Sequence, residues 1–199
     1  MKHIGIFGGT FNPIHKGHIK MAEAARKEYK LSCIYFIPCG IPPHKTQDLL
    51  PAKLRYALVK SAIKGKKYFK VLDIEIKKKK KAYTVDTIVS LRGGRSPTKQ
   101  SHEDALYFLI GADEFEKLHT WEKTNELAKL VTFLVLPRPV KRVKIPKVKT
   151  LSWNMVHTMP INISSSDIRK RVRKKKSIKN MLPDSLASMQ EHKLRLLLS

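Results

Sequence analysis

The chain has 199 residues, of which 42% are hydrophobic, so it is long enough for one domain with a buried core and too apolar to be a disordered polymer. It contains no run near the ~18 apolar residues that a membrane helix needs, and its amino terminus lacks the pattern of a secretory signal, so we expect a cytoplasmic protein without membrane contacts. The formal net charge of +25 says nothing about fold but favours anionic ligands.

Short apolar runs alternate with helical patterns along the chain. Buried strands are predicted at 3–9, 33–38, 105–113 and 130–136, and a half-exposed strand at 70–76. Helices are predicted at 17–29, 52–63, 83–92, around Glu114, at 121–129, from 164 onwards and from Pro183 onwards. Loops are predicted at 42–51, 93–104 and 141–149.

This alternation of strands and helices predicts βαβ units, and therefore an α/β fold. We expect a Rossmann-like doubly wound parallel sheet with helices on both faces, because the crossovers between parallel strands are right-handed. No repeat or linker divides the chain, so residues 1–199 are predicted to form a single domain. Ligands of such sheets bind beyond the carboxyl ends of the strands, where the strand order reverses.

The segment between the first predicted strand and the first predicted helix is suited to binding phosphate. Gly8 and Gly9 would let backbone amides approach a bulky anion, and the helix after Pro13 would add unpaired N–H groups at its positive dipole end. His15 and His18 are three residues apart, so they would share one face of that helix. A zinc pair is the alternative, but no third ligand of that type lies nearby in sequence.

The cysteines and the basic blocks give weaker evidence about the protein's function than the histidine segment does. Cys33 and Cys39 are too few for a disulfide framework and match no zinc pattern, so we expect reduced thiols. Basic blocks occupy residues 77–81 and 168–176. A solvated lysine-rich surface is favoured over a dedicated nucleic-acid site, so any contact with nucleic acid would be non-specific.

The motif GTFNPIHKGH, residues 9–18, resembles the adenylyltransferase signature of the nucleotidyltransferase superfamily. Six further motifs follow in the order and spacing typical of the bacterial nicotinate-nucleotide adenylyltransferases: PPHK (42–45), AYTVDT (82–87), LIGAD (109–113), TW (120–121), RP (138–139) and ISSSDIR (163–169). The first and last motifs are shared by the superfamily, and the middle ones by its pyridine-nucleotide branch.

The resemblance implies transfer of the adenylyl group of ATP to nicotinate mononucleotide, which gives deamido-NAD and pyrophosphate. His15 and His18 would be the catalytic residues, contacting the ATP phosphates and stabilising the transition state. The other residues of the implied ATP site are Gly8, Gly9, Thr10, Phe11, Gly111, Asp113, Ser164, Ser165 and Arg169. Mg²⁺ would be held mainly by the substrate phosphates, so no residue is assigned as a metal ligand.

The implied mononucleotide site consists of Lys45, Tyr83, Thr84, Trp121 and Glu122. Trp121 would stack on the cationic pyridine ring, and main-chain donors near Thr84 and Glu122 would bind the nicotinate carboxylate. A core position is the alternative for Trp121. Many relatives carry tyrosine where this chain has Glu122, and an inward carboxylate there would repel the substrate. A position at a helix start favours an outward side chain.

Three alternatives remain open at this stage. A nicotinamide-mononucleotide adenylyltransferase would share the chemistry and differ in the pyridine pocket. A phosphopantetheine adenylyltransferase would share the first and last motifs but not the middle set. A basic RNA-binding protein would fit the charge, although no RNA motif is present. A homo-oligomer is compatible with each of them.

Overall fold

The computed structural model of the protein describes residues 1–42, 49–78, 80–92, 104–138, 143–159 and 161–187. Its strands are β1 (His3–Gly9), β2 (Cys33–Pro38), β3 (Phe69–Val71), β4 (Ala105–Gly111), β5 (Thr132–Leu136) and β6 (Trp153–Met155). Its helices are α1 (Lys16–Glu28), α2 (Ala52–Ala62), α3 (Thr84–Arg92), α4 (Ala112–Phe115), α5 (Thr124–Leu130), α6 (Ser165–Arg173) and α7 (Asp184–Ala187), with a 3₁₀ turn at Leu118–Thr120.

These strands form one parallel sheet in the order β3-β2-β1-β4-β5-β6. This is the doubly wound arrangement that the alternation of elements predicts, and it confirms the expected fold class. The strand order reverses between β1 and β4, so the crevice in which such sheets bind ligands lies beyond Gly9 and Gly111, the last residues of these two strands.

The sheet separates two hydrophobic cores, one on each face. In β4, Phe108 and Ile110 enter one core and Leu109 enters the other. Helices cover both faces, so the central strands are apolar at nearly every position. This burial on both sides is the reason why β1, β2, β4 and β5 could be predicted from contiguous apolar runs.

The edges of the sheet differ from the prediction. The strand predicted at 70–76 is wrong beyond Val71: β3 pairs with β2 over three residues, and the chain then turns, with Lys77 N–H donating to the Asp73 carbonyl at 3.0 Å. Alternating apolar side chains in this turn, such as Leu72 and Ile74, pack against the core without forming a strand. The edge strand β6 was not predicted, because it has only three residues and they show no distinctive pattern.

Two predicted elements have different boundaries. The strand predicted at 105–113 ends at Gly111, whose extended backbone begins α4, so Asp113 belongs to a helical turn. The helix predicted at 121–129 begins only at Thr124, because Lys123 adopts a left-handed conformation with φ 51°. Among the described residues, no helix combines the length and apolar character needed to cross a membrane.

Candidate active site

His15 and His18 lie together at the start of α1, beyond the carboxyl end of β1. His15 is the residue before the helix, and the two imidazole rings are in contact, with centroids 3.7 Å apart and planes tilted by 30°. The Nδ1 atom of His18 accepts a hydrogen bond from the His15 backbone N–H at 3.2 Å. This contact assigns the neutral tautomer of His18 with its proton on Nε2, which is therefore the donor that His18 can offer to a phosphate oxygen.

Gly17 leaves the space that the His15 ring occupies. A Cβ atom at this position would lie 2.9 Å from Nδ1 and 3.0 Å from Cε1 of His15. His15 itself is only 2% exposed, so its ring has little room to move away. The glycine is part of the first motif, but the sequence analysis gave it no role.

Both histidines are neutral at physiological pH. Burial, together with the positive charge of Arg138, lowers the pKa of His15 to about 4. Burial also holds the pKa of His18 well below its ordinary value, with further contributions from His15 and Arg138. A neutral imidazole still carries one N–H, so each histidine can donate a hydrogen bond to a phosphate oxygen.

Arg138 connects the histidines with Asp113. Its Nε atom lies 3.2 Å from Oδ2 of Asp113, and its charge influences both imidazoles. Arg138 follows β5 and Asp113 follows β4, so the two neighbouring strands bring them to the same edge of the sheet. Gly111, which precedes α4, has open space where a side chain would project. Arg138 lies in the RP motif, but the sequence analysis did not assign it to the site.

The last motif is bonded directly to the first. Ser164 precedes α6, and its hydroxyl accepts the Asp167 N–H at 3.0 Å, so this serine caps the helix. The Ser165 hydroxyl donates to the Pro13 carbonyl at 2.9 Å, and Nη1 of Arg169 donates to the Asn12 carbonyl at 2.8 Å. The N-terminus of α6 therefore lies beside the loop that leads to His15.

Gly8 and Gly9, at the end of β1, make room for aromatic rings. A Cβ atom on Gly8 would lie 3.3 Å from the Phe108 ring, and one on Gly9 would lie 3.3 Å from the Phe11 ring. Phe11 is buried, has a left-handed φ of 47° and contacts His18 edge-on at 5.1 Å between centroids. The approach of the glycine amides to an anion stays a prediction. The packing of the two aromatic rings is a second reason why larger residues would not fit at these positions.

The residues predicted to bind the mononucleotide lie on two segments. Tyr83 precedes α3 and is exposed, and Thr84 is the first residue of the helix and is half-buried. Trp121 follows the 3₁₀ turn, is partly exposed and meets Phe108 edge-to-face at 6.0 Å. Because Phe108 also contacts the Gly8 position, this ring lies between Trp121 and the first motif. Lys45 lies outside the described residues.

The segment after Trp121 has two notable features. The Thr124 hydroxyl is buried, lies 2.6 Å from the Leu118 carbonyl and 2.8 Å from the Trp121 carbonyl, and can donate its one hydrogen to either, which holds the backbone that carries the tryptophan. Glu122 is exposed, as the sequence analysis expected, but it precedes α5 by two residues and so does not lie at the helix start. The sequence did not reveal the role of Thr124, because nothing in its local pattern distinguishes it from an ordinary helix residue.

The described part of the chain holds no cluster of side chains suited to ligating a metal ion. No group of three or more His, Cys, Asp or Glu side chains there could hold a metal ion. The groups at the site are imidazole, guanidinium, hydroxyl and backbone N–H, which suit phosphate oxygens better than Mg²⁺. The carboxylate of Asp113 is engaged by Arg138.

Comparison with known proteins places this geometry in a family. The family model described as cytidylyltransferase-like matches residues 6–171. A protein of Shouchella clausii named "Probable nicotinate-nucleotide adenylyltransferase" is 39% identical over 198 residues, which cover 97% of this chain and 96% of that protein. A protein of the same name from Exiguobacterium sibiricum is 36% identical over 188 residues, which cover 94% and 95% of the two chains.

Solved structures agree in fold. The nicotinic acid mononucleotide adenylyltransferase of Plasmodium falciparum complexed with NaAD superposes with a TM-score of 0.77 at 20% identity, covering 99% of this chain and 98% of that one. The same enzyme complexed with APC gives a TM-score of 0.74 at 19% identity. With the family model matching most of the chain and curated relatives matching nearly all of it, the protein belongs to the cytidylyltransferase-like family and, within it, to the nicotinate-nucleotide adenylyltransferases.

Proposed function

We propose that the protein transfers the adenylyl group of ATP to nicotinate mononucleotide, giving deamido-NAD and pyrophosphate. The observation that carries the proposal is the pair of neutral, stacked imidazoles at the N-terminus of α1, bordered by Arg138 and by the N-terminus of α6. Uncharged donors, one guanidinium and two helix N-termini form a site for a polyphosphate. The family membership selects the pyridine mononucleotide as the acceptor.

The reaction needs no protein nucleophile. A phosphate oxygen of the mononucleotide forms a bond to the α-phosphorus of ATP while the bond from that phosphorus to the bridging oxygen breaks. Pyrophosphate leaves with the electron pair. The protein contributes alignment of the two phosphates and stabilisation of the charge that develops on them.

We assign these tasks to separate groups. His15 and His18 would donate hydrogen bonds to phosphate oxygens of ATP, and the N-terminus of α6 with Arg169 would receive the β- and γ-phosphates. Asp113 would accept from a ribose hydroxyl, with Arg138 holding its carboxylate in place at 3.2 Å. Gly111 supports this arrangement because no side chain fills the space beside it.

Mg²⁺ would reach the site with ATP, bound by the phosphates of the nucleotide. When bound, it would neutralise charge on the departing pyrophosphate. The donor set on the protein fits a cation that the substrate carries, since the side chains around the histidines are mainly hydrogen-bond donors. Activity should therefore depend on Mg²⁺, although no protein carboxylate cluster is assigned to it.

We also propose selectivity for the acid over the amide. The Glu122 side chain is exposed, so it can extend into solvent and away from the substrate's carboxylate. Backbone donors near Thr84 and Glu122 would bind the nicotinate carboxylate through charge-assisted bonds. The amide of nicotinamide mononucleotide would leave some of these donors unpaired.

Pyrophosphate release tests the function directly. ATP is supplied with nicotinate mononucleotide, nicotinamide mononucleotide or phosphopantetheine in parallel, with and without Mg²⁺. The proposal requires the highest kcat/KM with nicotinate mononucleotide, whereas a preference for either other acceptor would replace it by the corresponding alternative.

A gel shift with mixed RNA tests the remaining alternative. We expect at most salt-dependent, non-specific binding of RNA. We also propose that the protein is cytoplasmic. Whether it forms homo-oligomers is a prediction that a measurement of its mass in solution would test. Binding that persists at high salt, in a protein that releases no pyrophosphate with any acceptor, would favour the RNA-binding protein.

A further inference from the structure

Helix α2 buries an arginine in its apolar face. Arg55, Leu58, Val59 and Ala62 follow the spacing of one helix face and all point inward. Arg55 is 0% exposed and is the largest fully buried side chain in the described residues. Arginine is rarely buried to this extent unless its donors are engaged, so the position calls for a specific explanation.

The guanidinium group of Arg55 binds three backbone carbonyls from three segments. Nε donates to Leu50 at 3.0 Å, Nη1 to Thr10 at 2.7 Å and Nη2 to Gly40 at 2.9 Å. Thr10 follows β1, Gly40 follows β2 and Leu50 precedes α2. Each carbonyl is bound by a different nitrogen of the planar guanidinium, whereas a lysine ammonium would have to offer all its donors from a single nitrogen and would lose this arrangement.

These bonds close a ring around Phe11. The Leu50 N–H donates to Oδ1 of Asn12 at 3.0 Å, so Leu50 is bound to Asn12 through its N–H and to Arg55 through its carbonyl. Arg55 in turn binds Thr10, and the residue enclosed between Thr10 and Asn12 is Phe11. Its φ of 47° is a conformation that a bulky residue adopts only when its surroundings impose it.

Phe11 passes this constraint to the catalytic histidines. Its ring meets His18 edge-on, with centroids 5.1 Å apart, and His18 stacks on His15. A shift of Phe11 would therefore move His18 or open a gap beside it. The chain of contacts runs from Arg55 through Thr10 and Phe11 to the imidazoles.

A second arm of the same cluster reaches α3. A Cβ atom on Gly40 would collide with the Glu75 carbonyl, so the two loops are closely packed. The Thr87 hydroxyl donates to Oε1 of Glu75 at 3.0 Å, and Thr87 lies one turn after Thr84. Arg55 thus bonds to the loop of the phosphate site and, through Gly40, to a segment that holds the helix of the proposed mononucleotide site.

From these contacts we infer that Arg55 is a positioning residue for adenylyl transfer: it holds the Thr10–Asn12 segment in the conformation that places His18 and His15 at the ATP phosphates. The inference rests on the proposed function. Arg55 does not touch the substrates, and its effect is on the alignment of groups that do. Loss of alignment lowers kcat more than it weakens ground-state binding, because many other contacts hold the substrates.

Arg55→Lys tests the inference with two matched controls. Arg55→Lys keeps the positive charge of the helix, and Lys60→Met controls for a change of a basic residue on the exposed side of α2. Leu31→Ala creates a core defect just before β2, at the amino ends of the strands. At a temperature well below each Tm, we expect Arg55→Lys to lower kcat by at least about tenfold, with a smaller change in KM for ATP. Both controls should keep the wild-type kcat. Equal kcat in Arg55→Lys and the controls would overturn the inference.

Asn12 provides a second way to open the ring without touching the buried charge. Asn12→Ala removes the acceptor for the Leu50 N–H and should lower kcat in the same direction, whereas Asn12→Asp keeps an acceptor oxygen and should stay near wild type. This pair decides the question if Arg55→Lys does not fold. Equal activity of Asn12→Ala and wild type would then refute the positioning role.

Imidazole NMR separates this inference from the proposed function. Arg55→Lys should shift the ring resonances of His18, and Lys60→Met should leave them unchanged, whichever acceptor the enzyme uses. An inactive wild-type protein whose His18 signals still respond to Arg55→Lys would refute the proposed function and keep the link from Arg55 to the histidines. Unchanged His18 signals in an active Arg55→Lys variant would refute the link alone.

Discussion

Gly17→Ala should lower activity without lowering stability. The new Cβ atom would lie 2.9 Å from Nδ1 and 3.0 Å from Cε1 of His15, whereas ordinary contacts of this kind begin near 3.5 Å. The ring of His15 must therefore move by about 0.5 Å. Because the ring is buried and in contact with His18, the movement takes it away from the position proposed for its bond to an ATP phosphate.

The size of the effect follows from this displacement. A misplacement of about 1 Å can cost on the order of 10²-fold in rate, so half of it should cost about tenfold, or about 1.4 kcal/mol in the activation barrier. Alanine is favoured over glycine inside a helix by about 0.5–1 kcal/mol, which offsets the strain of moving the ring. The variant should thus keep its Tm to within a few degrees.

Gly65→Ala is the matched control. Nothing lies within 4 Å of a Cβ atom at this position, but its φ of +80° is unfavourable for alanine. This variant should lose about 1 kcal/mol of stability and keep its kcat. Pyrophosphate release and thermal unfolding of both variants give the comparison, and a Gly17→Ala enzyme with wild-type kcat would refute the argument that the position of His15 limits the rate.

The remaining predictions concern the two histidines and the tryptophan. His18→Ala should reduce kcat by ~10²–10³ while the protein remains folded, and near wild-type turnover would remove His18 from the mechanism. Trp121→Ala should raise KM for the mononucleotide far more than KM for ATP; a loss of about 3–5 kcal/mol in stability with unchanged KM values would instead make Trp121 a core residue. Acidification should destabilise the protein, because the folded pKa of His15 is about 4 and the unfolded value is about 6.5, so the unfolded state binds more protons between these values. From pH 7 to pH 5, His15 alone should account for about 2 kcal/mol of lost unfolding free energy, and urea titrations of His15→Asn should show a smaller pH dependence than wild type.

The sequence by itself determined the parts of the protein that depend on local pattern. Strands β1, β2, β4 and β5 are buried on both faces, so their composition identified them, and the alternation with helices implied the parallel sheet. The spacing of His15 and His18 was enough to bring the two imidazoles together at the start of α1, where His15 precedes the helix and His18 lies in its first turn. The helix predicted from 164 onwards begins there for the same local reason, with the Ser164 hydroxyl as its cap.

Features that depend on distant contacts required the tertiary structure. The three-residue edge strand β6 and the turn after β3 are defined by their neighbours, and their own residues carry little signal. The low pKa values of the histidines arise from burial and from Arg138, which is brought to them from the end of β5. Arg55 interrupts the apolar face of α2, which was a visible irregularity, but only the folded chain brings three carbonyls to its guanidinium group. A sequence pattern can show that a residue is out of place, whereas its partners are determined by the packing of segments that lie far apart in the chain.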